Sequence, residues 1–110
     1  MTKDTEKAFV IIYSEYLRRR NIGTAKNQAV RFEDSKLRAI DAFSSWDPED
    51  IHYSLQELLQ CGYIKMNILG DVEILRDGIK YMEDKPSDYF NAFANIVKDL
   101  IALISALRPV

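Results

Sequence analysis

Residues 47–82 constrain the fold of this chain more than any other segment. Asp47 is suited to cap a helix, Pro48 suits the first helical turn, and Gly62 suits the left-handed residue that ends it. Two short apolar segments follow on either side of Gly70-Asp71, and then a helix that starts near Gly78. The segment therefore predicts a helix, a β-hairpin and a second helix, in that order.

The rest of the chain is predicted to be mainly helical. Apolar residues at i, i+3 and i+4 spacing indicate a first helix over residues 4–20, which Asn21-Ile22-Gly23 ends. Residues 24–30 are polar and their secondary structure is ambiguous; a short strand is one interpretation. A second helix is predicted over residues 32–43, with Leu37, Ile40 and Phe43 buried. In the third helix, which Asp47 caps, the inward side is expected to hold four residues: Ile51, Leu55, Leu58 and Leu59.

The hairpin register follows from the faces of its two strands, residues 63–68 and 72–75. A three-residue loop over residues 69–71 would pair Ile68 with Val72 and Met66 with Ile74, which keeps the apolar side chains on one face. The same register places three polar residues on the solvent side: Lys65, Asn67 and Glu73.

These elements predict a mainly α chain with a small β-hairpin (α+β), in the form of a winged helix-turn-helix with an added long C-terminal helix. Residues 1–86 would be the winged-helix domain, and residues 87–110 the C-terminal dimerisation helix of the same compact unit. The run LLQCGYI followed by LRDGIKYMED resembles the L-x-x-G-Y-I and L-T-x-x-G-x-x-Y-L pair of small winged-helix proteins. Arg76 stands where those proteins usually have threonine or serine. The continuation DKPSDYFNAFANIVKDLI is similar to the tail of the YjcQ-like group, a resemblance that implies a DNA-binding fold without an assigned ligand.

Composition and charge narrow the functional classes. A chain of 110 residues with 47% hydrophobic and 29% charged residues fits one globular domain, and its single cysteine, Cys61, excludes a disulfide scaffold and favours a cytoplasmic location. The net charge of −2 argues mildly against strong nonspecific nucleic-acid binding. The charge is uneven, however. Residues 18–38 carry seven basic and two acidic residues, whereas residues 39–58 carry five acidic and no basic residues.

In a winged helix-turn-helix, the third helix enters the DNA major groove. Three of its residues are predicted to face the bases: Tyr53, Gln56 and Gln60. Four basic residues are predicted to contact the DNA backbone: Arg31, Lys36, Arg38 and Lys65. Glu49 and Glu57 lie on the same exposed side of the third helix, where their negative charges would repel DNA phosphates. This repulsion is the main objection to the hypothesis.

The C-terminal segment predicts self-association. Over residues 87–107 two apolar rows lie side by side, and one of them would stay exposed if the other packed on its own domain. We therefore expect a homodimer with ten interface residues: Tyr89, Phe90, Phe93, Ile96, Val97, Leu100, Ile101, Leu103, Ile104 and Leu107. The alternative is that both rows are buried within one subunit. Lys98-Asp99 interrupts the apolar run, so a membrane span is not predicted.

Catalytic chemistry is not indicated by the sequence. No nucleophile is arranged beside a base, His52 reads as a solvated residue, and the acids near Asp47 are explained by a helix N-terminus. We expect no enzyme, no cofactor and no metal site. The sequence favours a dimeric winged-helix DNA-binding protein, a transcriptional regulator. The alternative is a non-catalytic protein–protein interaction module on the same scaffold, which the acidic residues 39–58 and the short wing favour.

Overall fold

The computed structural model describes residues 1–107. Over these residues the chain forms seven α-helices, one 3-10 helix and three strands: α1 (Lys3–Asn21), α2 (Lys26–Ala29), β1 (Arg31–Phe32), α3 (Asp34–Arg38), the 3-10 helix (Asp41–Phe43), α4 (Pro48–Gln60), β2 (Ile64–Met66), β3 (Val72–Ile74), α5 (Arg76–Glu83), α6 (Ser87–Asn91) and α7 (Leu100–Leu107). The prediction of a mainly helical α+β chain with a small antiparallel sheet is confirmed. No described helix is long and apolar enough to cross a lipid bilayer.

Helix α1 is the centre of the molecule. The Thr2 hydroxyl caps it by accepting a hydrogen bond from Thr5 N (3.2 Å), and three arginines occupy its last turn, where cations complement the helix dipole. Phe9, Ile12 and Tyr13 are buried on its core side, and the helix packs against both α4 and α7. The predicted boundaries of residues 4–20 are confirmed to within one residue at each end.

The second predicted helix, residues 32–43, is wrong. Phe32 belongs to β1, where it pairs with Val72, and the helix that follows ends at Arg38. Ile40 has an extended backbone, with φ −57° and ψ 131°, so only the 3-10 helix continues the segment. Within the ambiguous residues 24–30, the short helix α2 forms, and β1 follows directly after them.

The strands form an antiparallel sheet in the order β1-β3-β2. Met66 pairs with Val72 and Ile64 with Ile74, so the predicted register is wrong by two residues. A shift of two residues preserves the faces, and the prediction that Lys65 and Glu73 share the solvent side is therefore confirmed. Ile68, expected in a strand with its side chain turned inward, is fully exposed in the loop.

The side chain of Asn67 explains the register shift. Its Oδ1 accepts hydrogen bonds from Leu69 N (2.9 Å) and Asp71 N (3.0 Å), and its backbone N donates to Asp71 O (3.1 Å). Gly70, with φ +87°, supplies the left-handed residue that this tight loop requires. The turn therefore closes over residues 68–70 instead of 69–71.

Helix α4 has the predicted boundaries and caps. The carboxylate of Asp47 accepts a hydrogen bond from Glu49 N (2.8 Å), Pro48 opens the first turn, and Gly62 has φ +78°. Ile51, Leu55 and Leu58 are buried as predicted. Leu59 is exposed instead, because it lies about 100° around the helix from Leu58, and the buried Ser54 takes the flanking position on the inward side.

The predicted continuous helix over residues 87–107 is wrong. Helix α6 ends at Asn91, turns occupy residues 92–99, and α7 begins at Leu100. Arg18 of α1 binds the Asp99 carboxylate through Nε (2.9 Å) and Nη2 (2.6 Å), which fixes the chain just before α7. The break allows residues of both apolar rows to pack against α1.

The expectation that one apolar row would stay exposed, on which the predicted dimer interface rested, is therefore wrong. Five of its ten residues are buried within the subunit: Phe90, Val97, Leu100, Leu103 and Ile104. Four more are partly buried against the same core: Tyr89, Phe93, Ile96 and Leu107. Ile101 alone among the ten is exposed, at 41%. The alternative, burial of both rows in one subunit, describes the packing, and residues 108–110 of the predicted dimerisation helix lie outside the described residues.

Candidate nucleic-acid interface

The solvent side of α4 carries the residues that were predicted to face DNA bases. Tyr53 is 61% exposed, Gln60 is exposed, and Gln56 between them is half-buried. Their spacing of three and four residues places them on one side of the helix. Because α4 is anchored by a cap at its start and by buried leucines along its length, these side chains are presented on a fixed element.

Glu57, one of the two acids that oppose this interface, is held by the N-terminal end of α1. Its Oε1 accepts hydrogen bonds from Thr2 N (2.9 Å) and from the Thr2 hydroxyl (3.2 Å). Hydrogen bonding from Thr5 and then from Thr2 keeps the pKa of Glu57 below its usual range. Glu57 is therefore an ionised carboxylate with polar partners of its own, half-buried between α4 and α1. Glu49 stays exposed at the first turn of α4.

Arg38 lies beside the start of α4 and links three elements. Its Nε donates to Asp34 Oδ1 (2.9 Å), and its Nη1 donates to Pro48 O (3.5 Å). The backbone N of Asp34 in turn donates to Asp71 Oδ1 (3.0 Å) in the hairpin loop, and this bond is the largest cause of the lowered pKa of Asp71. The hairpin loop, α3 and the N-terminus of α4 are thus joined by a continuous series of polar contacts.

The other three predicted backbone contacts, Arg31, Lys36 and Lys65, are brought together in a different place. They line a groove of about 880 Å³ on the solvent face of the sheet, between the sheet and the segment that joins α1 to α3. No residue of α4 lines this groove. We name it the sheet groove. The structure therefore separates these three cations from Arg38 and from the exposed side of α4.

A row of three charged residues crosses the sheet groove. Arg31 and Lys65 both stand directly opposite Glu73 in the strand register. Arg31 Nε is 3.4 Å from Glu73 Oε1, and Lys65 Nζ is 3.9 Å from Glu73 Oε2. Both cations are well exposed, so these pairs add little stability but hold the two side chains beside one carboxylate.

Arg19 is a functional candidate that the sequence reasoning missed. Its guanidinium lies 4.1 Å from the centre of the Phe32 ring, donates to the backbone oxygen of Arg31, and lines the sheet groove. The sequence showed it only as one of the seven basic residues over positions 18–38. Its role could be found only from the long-range packing of α1 on β1.

A second groove, of about 570 Å³, is acidic. It lies between the start of α1, the 3-10 helix and the start of α4, and four aspartates line it: Asp4, Asp41, Asp47 and Asp50. Lys7 is the cation among its lining residues. Within residues 1–107, no group of three or more histidine, cysteine, aspartate or glutamate side chains is placed to hold a metal ion. This acidic surface borders the N-terminal half of α4, which leaves its C-terminal half as the less acidic part.

Comparison of the chain with models of protein families, with curated proteins and with solved structures found no match. The resemblance to the YjcQ-like group therefore stays a prediction that rests on the residues quoted above.

Proposed function

We propose that this chain is a winged helix-turn-helix protein that binds double-stranded DNA through α4 and acts as a transcriptional regulator. The observation that carries the proposal is the arrangement of α4. It follows a short helix, precedes an antiparallel hairpin in a sheet of order β1-β3-β2, and presents Tyr53 and Gln60 to solvent. In winged helix-turn-helix domains the helix in this position enters the major groove.

In this proposal Gln60 and Gln56 read base edges and Tyr53 contacts a base or a phosphate. The amide of glutamine can pair with the donor and acceptor edge of adenine, whereas a tyrosine hydroxyl can serve either contact. Arg38, beside the first turn of α4, contacts the DNA backbone. The hydrogen bonds from Thr2 leave the negative charge of Glu57 in place, but they direct its carboxylate toward the start of α1.

A homodimer remains part of the proposal, with a smaller surface than the sequence suggested. The exposed side of α7 consists of four residues: Ile101, Ala102, Ser105 and Ala106. Two such helices side by side would give the two-fold symmetry that matches a palindromic DNA site. Light scattering coupled to size-exclusion chromatography tests this directly. The dimeric proposal predicts twice the 12.7 kDa mass of the chain, and a single-chain mass at every concentration contradicts it.

The test of DNA binding is a fluorescence-anisotropy titration of random and genomic duplex pools, at low and at near-physiological salt. We expect saturable binding that weakens steeply as salt rises, since phosphate contacts release counterions. Gln60→Ala should weaken a selected duplex by about 1–3 kcal/mol and leave random duplexes unchanged, whereas Arg38→Ala should weaken all duplexes and lower the salt slope by about one. Lys80→Ala, which removes a cation of α5 that is paired with Asp84, is the matched control and should change neither.

A specific observation favours a second function, a protein–protein interaction module. Three of the four predicted DNA-backbone cations lie in the sheet groove, away from the residues of α4, and the loop tip exposes Ile68 and Leu69. Apolar side chains on a rigid tip are typical of protein contacts rather than phosphate contacts. The absence of any DNA binding at low salt would contradict the first proposal, and a pull-down for protein partners would then test the second.

A further inference from the structure

The sheet groove has the size and the charge pattern of a ligand site, and the proposed function makes no use of it. Its volume of about 880 Å³ lies within the usual range for small-molecule sites, roughly 300–1,000 Å³. Four cationic side chains line it: Arg19, Arg31, Lys36 and Lys65. Met66, which is half-buried and packs against the core, also borders it.

Each cation of the sheet groove has a partner within the chain before any ligand arrives. Arg19 is stacked on Phe32 and bonded to the backbone of β1, so its guanidinium has a fixed orientation. Glu73 of β3 forms ion pairs with Arg31 of β1 on one side and with Lys65 of β2 on the other. Side chains that are already ordered lose less entropy on binding, which favours affinity. Arg31 and Lys65, paired with Glu73, and Lys36, paired with Glu33, also keep unused N–H donors, because one ion pair occupies only part of them.

The acids of the sheet groove decide which kind of anion it suits. Glu33, Asp71 and Glu73 also line it, so the groove carries a net charge of only +1. The Asp71 carboxylate accepts hydrogen bonds from Asp34 N and from Asn67 Nδ2 (3.2 Å), and is thereby satisfied within the loop. A continuous phosphate backbone would pass both Glu33 and Glu73, whereas a single acidic group can bind N–H donors of the cations that these two carboxylates leave free.

We propose that the sheet groove binds a small organic anion, with its acidic group on the free N–H donors of Arg31, Lys36 and Lys65 and its apolar body on the aliphatic stems of the basic residues. The site is independent of the proposed DNA-reading side of α4, because no residue of that helix lines the groove. The occupant is a compact molecule with one acidic group and an aromatic or aliphatic body. A nucleic acid is the competing occupant, and the experiment below distinguishes the two.

The probe is 8-anilinonaphthalene-1-sulfonate, an aromatic anion whose fluorescence rises on binding, titrated into the intact protein. We expect saturable binding with one probe molecule per chain, and changes of amide chemical shift that cluster at β1, β2 and β3. N-Phenyl-1-naphthylamine, which lacks the sulfonate, separates apolar binding from charge recognition and should bind about tenfold more weakly.

Charge variants make the test specific for this groove. Lys65→Ala and Lys36→Ala should each weaken the probe about fivefold, since one nearby cation is lost from a solvent-exposed site. Glu73→Gln should strengthen it by a similar factor, because it removes the central negative charge and keeps the size of the side chain. Lys80→Ala is matched in exposure to Lys36→Ala, lies on α5, and should leave binding unchanged.

Several results would overturn the proposal. One is the absence of saturable binding by the wild-type protein. Another is a Lys65→Ala affinity equal to that of Lys80→Ala, or a Glu73→Gln variant that binds no better than the wild type. A short duplex that displaces the probe and shifts the same sheet amides would reassign the groove to nucleic acid. None of these outcomes depends on whether α4 binds DNA. Failure of the anion-binding proposal can therefore be distinguished from failure of the DNA-binding proposal.

Discussion

Gly78 gives the sharpest test of how α5 packs on the sheet. Its φ is not positive, so the backbone itself accepts an L-residue, and alanine is favoured over glycine in a helix by about 0.8–1.0 kcal/mol. A Cβ at this position, however, would lie 2.4 Å from the backbone oxygen of Tyr63 and 3.1 Å from both Phe9 Cζ and Ile74 Cγ2. The Tyr63 oxygen cannot move aside, because it accepts a hydrogen bond from Leu75 N (2.9 Å).

The steric cost therefore exceeds the gain in helix propensity. Overpacking of this kind costs about 1–3 kcal/mol, and the contact with a fixed backbone atom puts Gly78→Ala at or above the upper end. After the gain in propensity is subtracted, we expect a net loss of about 2 kcal/mol in the free energy of unfolding, which lowers Tm by roughly 8–12 °C. Urea denaturation followed by circular dichroism at 222 nm measures the first quantity, and a thermal scan measures the second.

Gly62 provides the matched control, because it separates backbone strain from steric clash. A Cβ at Gly62 would meet no atom within 4 Å, but its φ of +78° disfavours most L-residues. Asparagine tolerates this conformation, so Gly62→Asn should lose less stability than Gly62→Ala. At Gly78 the order should reverse, since asparagine is larger. A Gly78→Ala protein as stable as the wild type, or more stable, would refute the packing of α5 described here.

Three further predictions concern stability. Ser54→Ala should raise the free energy of unfolding by about 1 kcal/mol in urea denaturation, because its hydroxyl is buried and has no hydrogen-bond partner among the described residues; a loss above 1 kcal/mol would contradict this. Leu100→Ala should cost about 2–5 kcal/mol and Ile101→Ala much less, since only Leu100 is fully buried; equal losses in the same assay would argue against burial of the C-terminal rows within one subunit. Arg18 holds the pKa of Asp99 below its ordinary value, so the stabilisation is complete above an unfolded pKa of about 3.9 and is lost as pH falls through the lower folded value. Asp99→Asn should therefore flatten the acid-side fall of the urea midpoint, and an unchanged acid-side profile would count against the ion pair.

The local elements of this fold could be predicted from the sequence because their signals are local. The cap at Asp47, the proline after it and the left-handed Gly62 specify α4 within a few residues of each end. The exposure of Tyr53 and Gln60 follows from the same periodicity. Leu59 was wrongly predicted to face inward. Leu58 and Leu59 are adjacent, and periodicity alone does not show which of them lies at the edge of the buried side.

The remaining errors share a physical cause, which is contact between residues far apart in the chain. The apolar rows of residues 87–107 have the same periodicity whether the helix is continuous or broken. At the break, Arg18 binds Asp99, a contact across 81 positions that periodicity cannot reveal. The hairpin register likewise depends on the Asn67 side chain, which satisfies the backbone of its own loop in a way that strand periodicity cannot reveal.

The division of the candidate residues into separate surfaces could not be predicted from the sequence. Arg31, Lys36, Arg38 and Lys65 were assigned to one DNA interface from the expected winged helix-turn-helix arrangement. The structure places Arg38 near the start of α4 and the other three in the sheet groove, because β1 pairs with β3 and turns Arg31 toward Glu73 and Lys65. Strand pairing between distant segments, and not local charge, decides which cations act together.

The charge distribution along α4 sets how DNA would approach it in the proposed function. Glu49 and Asp50 are exposed at its first turn, beside the other aspartates of the acidic groove, whereas its last turn carries the exposed Gln60 and a single acid, the half-buried Glu57. Eleven residues separate Glu49 from Gln60, which is about 16 Å along the helix. That separation is about twice the Debye length of roughly 8 Å at physiological salt, so the acidic end barely repels a phosphate at the other end. DNA bound to α4 would therefore be centred on its C-terminal half, where Gln56 and Gln60 lie.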